Sequence, residues 1–154
     1  MLYDPKNENP LTRLEAQLRR AETITSELMS DVMAVACVRL DALGRSAKSK
    51  ISRLMEAGAW TDAALQLVAL ELPQWTLRRL VHDDGEWLCT LSRHAGLPLE
   101  YDEVAEASHE FLPLAILIAL LVARRSSAAT TAGVTTVPQV RLESGYPMCC
   151  DNFS

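Results

Sequence analysis

The feature that most constrains this chain is the run from Phe111 to Ala123 (FLPLAILIALLVA). It holds 13 residues without a charge, and a membrane-spanning helix needs about 20. The run follows Glu106, His109 and Glu110, contains Pro113 and ends at Arg124 and Arg125. It therefore reads as a core helix, with its last turn placing cations at the negative end of the helix dipole. The stretch from Leu99 or Asp102 to Arg125 reads as one acidic-then-apolar helix, kinked or split by Pro113 near Phe111. A chain of 154 residues can build one domain around such a helix without a metal or disulfide staple.

The N-terminal third has a different pattern. Asn9-Pro10 is a cap followed by proline at the first helical position. Apolar residues then recur at helical spacing through Leu11, Leu14, Leu18, Ala21, Leu28, Val32, Val35 and Ala42, interrupted by Thr25 and Arg39. The spacing predicts a single helix ending at Gly44, about 50 Å long at 1.5 Å per residue. Its first half carries only a narrow seam, Leu11, Leu14 and Leu18, of the kind that pairs with another subunit. A homo-oligomer is therefore expected.

Two short helices follow, one with Ile51, Leu54 and Met55 on one face, the other over Asp62–Glu71, capped by Thr61 and stopped before Pro73. From Trp75 to Arg93 the period changes to two. Asp83-Asp84-Gly85 marks a hairpin. A three-residue loop with Gly85 left-handed in a bulge would pair Val81 with Trp87, Arg79 with Cys89 and Leu77 with Leu91. Arg78, His82, Glu86 and Thr90 then form an outward face, a second candidate interaction surface. The expected fold is mainly α with one β-hairpin: a long N-terminal helix, two short helices, the hairpin at 75–93 and an apolar C-terminal helix, forming one domain over 1–125. The Ser-, Thr-, Ala- and Pro-rich segment 126–154 reads as a flexible tail.

Catalytic signatures are absent. There is no GxSxG, P-loop or GxGxxG, and no paired-cysteine zinc spacing. Cys89 with His82 or His94 is a conceivable nucleophilic pair, but Cys89 lies in an apolar stripe. Glu106 and His109 have ExxH spacing, yet no second ExxH completes a di-metal set. No metal or cofactor is expected. Four cysteines without a framework, and a start (MLYDPKNE) with no apolar signal region, suit a reducing cytoplasm.

The basic segment Arg39 to Arg53 nets +4 over 15 residues in a chain of net charge −5. Arg45, Lys48, Lys50 and Arg53 form a candidate patch for an anionic partner, and the acidic run Glu100 to Glu110 is its electrostatic counterpart. No aromatic residue interleaves it for base stacking. The order short helix, turn, helix, hairpin resembles a winged helix. The helix in the reading position (DAALQLVALE) carries no Arg or Lys to contact phosphates or base edges, so nucleic acid is not the expected partner.

The residues Trp60-Thr61-Asp62-Ala63-Ala64-Leu65, Leu70 to Trp75, Leu77-Arg78-Arg79 and Asp83 to Trp87, followed by Cys89 and Leu91-Ser92-Arg93, resemble a set of small uncharacterised bacterial proteins. That resemblance covers about a third of the chain and implies no activity, cofactor or site residue. The expectation is a non-enzymatic cytoplasmic interaction or regulatory protein that self-associates through its N-terminal helix, with a nucleic-acid-associated regulator using Arg45–Arg53 as the alternative and a small metal protein or enzyme third.

Overall fold

In a computed structural model the chain is described over residues 8–133. Six helices and a three-stranded antiparallel sheet follow in the order α1 (Pro10–Arg20), α2 (Ser26–Ala36), α3 (Val38–Leu43), α4 (Arg45–Glu56), α5 (Trp60–Glu71), β1 (Thr76–Asp83), β2 (Glu86–Ser92), β3 (Val104–His109) and α6 (Leu112–Gly133), with a 3-10 turn at Leu99–Tyr101. This corrects the expected architecture in two places. The sheet is a meander rather than a lone hairpin, and the N-terminal helix is not long.

The long apolar stripe is cut twice. Asn9 accepts the Leu11 N–H (3.0 Å) to start α1, which stops at Arg20. Thr25 then caps α2 by accepting the Leu28 N–H at 3.2 Å. The interruption at Thr25 is thus a helix start. The second cut, at Cys37, has no local cap. The carboxylate of Glu71, on α5, accepts the amide N–H groups of Arg39 (3.1 Å) and Leu40 (2.5 Å). These are orphan donors of the first turn of α3. Arg39 Nε returns to the Leu70 carbonyl at 3.2 Å. A charged side chain about thirty residues downstream therefore holds the break.

Helix α6 is the centre of the molecule. Leu114 through Leu121 and Ala123 are all fully buried, which requires neighbours on every side. The β2 and β3 strands cover one side, and α1, α2 and α5 the other. Pro113 falls in the first turn, where its missing N–H costs nothing, so it starts this helix rather than kinking it. The helix continues past Arg125 to Gly133; the remainder of 126–154, with Cys149 and Cys150, lies outside the described residues. No helix among the described residues is long and apolar enough to cross a membrane.

Residues 104–109 form a strand, not the start of a helix. Ala105 and Ala107 are buried beneath α6, while Glu106 and Ser108 are exposed on the other face. Alanine is a weak strand former, but its small side chain lets α6 approach closely.

The hairpin turn is also corrected. Asp83 pairs with Glu86, His82 with Trp87, Val81 with Leu88 and Leu80 with Cys89, so the loop is the two residues Asp84 (φ 51°) and Gly85 (φ 82°). Two consecutive positive φ angles define the tight hairpin turn whose twist matches the strands. The parity mismatch this creates is absorbed further along, where the register shifts between Leu77 and Arg79, and Leu77 does face Leu91. The bulge at Arg78, not the turn, thus brings Leu77 onto the same face as Leu80 and Cys89.

Candidate functional site

The α1 seam is not a free surface. Leu18 is fully buried, Leu14 is 4 % exposed and Leu11 is half-buried against the same core. The seam is closed by α6 and α2 of its own chain. Glu15 and Arg125 tie α1 to α6 at 2.5 Å, and Arg19 closes the other Glu15 oxygen at 2.8 Å. The expected docking role of Leu11, Leu14 and Leu18 is replaced by a core role.

The hairpin quartet does not share one open face either. His82 lies on the α6 side of the sheet, its ring 4.8 Å from that of Trp87, while Glu86 and Thr90 lie on the other side. Thr90 is buried and its hydroxyl donates to Glu106 at 3.1 Å. Arg78 Nη1 donates to Asp102 Oδ2 at 2.8 Å. The same carboxylate accepts from the Ser92 hydroxyl and, at 2.7 Å, from the His94 N–H. Burial pushes the Asp102 carboxyl upward, but these hydrogen bonds and the Arg78 charge outweigh it and hold the group below its ordinary range. Arg93 pairs with Glu103 at 2.9 Å. Part of the acidic segment thus neutralises arginines of the sheet, and Asp102 clamps the bulge to the β2–β3 connection.

Among the described residues the candidate catalytic groups do not come together. Glu106 and His109 fall on opposite faces of β3, and His109 Nδ1 accepts the Phe111 N–H at 2.9 Å. No group of three or more His, Cys, Asp or Glu is placed to hold a metal among the described residues. Burial, with the Glu71 charge next, pushes the Cys37 thiol up to about 12, and burial raises Cys89 to about 11. Neither is an activated nucleophile. Helix α5, which a winged fold would use as its reading helix, spends Ala63, Ala64, Leu67 and Val68 on the core. It starts at Trp60 with no side-chain cap, so Thr61 does not serve as one.

The α4 segment is different. It is a 12-residue amphipathic helix that carries the whole of the basic patch. Ile51 is buried, and Ala47, Leu54 and Met55 pack against the core. Arg45, Lys48, Lys50 and Arg53 are exposed. Lys48 pairs with Asp41 at 2.5 Å. Arg45, Lys50 and Arg53 have no ion-pair partner among the described residues. Beside them lies an open groove of about 640 Å³, in which α4 presents Ser46, Ser49, Lys50 and Arg53, α5 presents Gln66 and Leu70, and α3 presents Leu43. Two cations, donors from hydroxyl and amide groups, and an aliphatic floor converge there. The cations are legible in the sequence, whereas the placement of Gln66, Leu70 and Leu43 beside them is not. The i, i+4 spacing of Gln66 and Leu70 on the α5 flank was the available signal. Comparisons with protein-family models, with curated proteins and with solved structures find no match to this chain.

Proposed function

We propose that this chain is a non-catalytic binding protein whose working surface is the cationic groove beside α4, and that its partner is anionic. The observation that carries this reading is the unpaired state of Arg45, Lys50 and Arg53 among the described residues, in a chain whose net charge is −5. An acidic protein that leaves three cations together on one helix has a local field opposite to its global one, which favours an anionic ligand at that place. The buried, free thiols of Cys37 and Cys89 support a reducing, cytoplasmic setting. The test is fluorescence anisotropy with two labelled anionic probes, polyglutamate and a duplex DNA, across a salt series. Binding of either probe that weakens with salt and is lost in Lys50→Glu/Arg53→Glu supports the reading. Binding of neither, or binding indifferent to the double substitution, overturns it.

A further inference from the structure

We propose that the occupant of the α4 groove is an acidic peptide segment of a partner protein, one that seats aliphatic side chains on Leu43 and Leu70 and carboxylates on Lys50 and Arg53. This rests on the reading of the groove as an anion-binding surface and adds the class of partner.

The lining between the cations discriminates between partners. A surface built for phosphate needs charge and donors, and one built for single-stranded bases adds aromatic platforms. This groove has no aromatic lining residue. Its floor is aliphatic, and Leu43 is 47 % exposed. Leu43, Ala47 and Leu70 beside the unpaired Lys50 and Arg53 make a mixed surface. A phosphate backbone would leave the aliphatic part wet. A peptide with leucine-like side chains along one edge and Glu or Asp along the other covers both parts. The groove's polar side chains, Ser46, Ser49 and Gln66, supply hydrogen-bond donors to carboxylates or peptide carbonyls. From Ser46 to Arg53 the α4 wall is about 10 Å long, two turns of helix, which suits a short segment.

The test compares three labelled probes. One is a short helical peptide with Leu at i, i+4 spacing and Glu on the flank. The second has the same composition with the Leu residues scattered around the helix. The third is a duplex DNA. Each is titrated against the full chain and against Leu43→Ser and Lys50→Glu/Arg53→Glu. These three positions are exposed, so the melting temperature of each variant should match the parent and serves as the folding control. The patterned peptide should bind about tenfold more tightly than its scrambled form, the difference expected from one well-buried leucine. Leu43→Ser should remove most of that tenfold difference, and the double charge reversal should abolish binding of both peptides. Equal binding of the two peptides, with loss on charge reversal, overturns the peptide assignment while the anion-binding reading stands. Tighter binding of DNA than of the patterned peptide does the same and makes the partner a nucleic acid. If light scattering shows a dimer that Lys50→Glu/Arg53→Glu dissolves, the occupant is a second copy and the proposal falls. If no probe binds, both readings fall.

Discussion

Two sets of cations in this molecule have opposite fates. Arg78, Arg93 and Arg125 each end on a carboxylate outside their own element, at 2.8, 2.9 and 2.5 Å. Arg45, Lys50 and Arg53 point outward from α4 with no carboxylate in ion-pair reach among the described residues. The first set is used by the fold, holding the bulge, the β2–β3 connection and the α1–α6 contact. The second does nothing for the fold that the structure reveals. The difference separates arginines that are part of the architecture from cations left available to a ligand, a distinction that composition alone does not make.

Perturbations should therefore cost stability when they touch groups the fold has closed, and little when they touch the open ones. The largest effect is expected for Leu18→Glu, which forces a charge against α6 and should destabilise by about 4 kcal/mol or more; a dimer that falls apart into folded monomers would instead restore the seam as an interface. Next comes Glu71→Ala, which strips the α3 amides of their acceptor and should cost about 2 kcal/mol in chemical denaturation, with Glu71→Gln retaining part of it.

Asp102 comes third, and it adds a pH signature. Its folded pKa lies below the ordinary value of 3.8. The stability it contributes is thus fully present above that value and is lost as pH falls through the folded one. Asp102→Asn should lower the melting temperature at neutral pH and flatten its decline in acid; an unchanged acid limb would remove the clamp from the account. Gly85→Val is expected to cost about 1–2 kcal/mol, because a β-branched residue resists φ of 82°. The smallest stability change, within about 0.5 kcal/mol each, belongs to Lys50→Glu and Arg53→Glu. A large loss of stability there would show that α4's cations also belong to the fold, erasing the contrast.

How much of this was legible in the sequence differs by element. The apolar run in α6 and the cap at Asn9 act over one to four residues, and local chemistry identified both. The hairpin's location was readable from Asp84-Gly85, but its register was not, because the bulge that resolves the parity sits at Arg78, several residues from the turn. Strand β3 was hidden by its own residues: Val-Ala-Glu-Ala-Ser-His has the alternation but little of the hydrophobic contrast that makes alternation visible. The patch Arg45, Lys48, Lys50 and Arg53 was read from charge, whereas the groove beside it needed α3, α4 and α5 together.

By itself, then, the sequence determined which segments have to be buried and where local caps and turns start and stop elements, since those depend on side chains acting on backbone a few residues away. That the N-terminal stripe breaks at Cys37, that its seam belongs to the monomer's own core, and which cations are closed and which are open all came from contacts between elements. Those outcomes depend on Glu71, Asp102 and α6 arriving from far along the chain, and a carboxylate or an apolar face chooses its partner by proximity in the fold, not by spacing in the sequence.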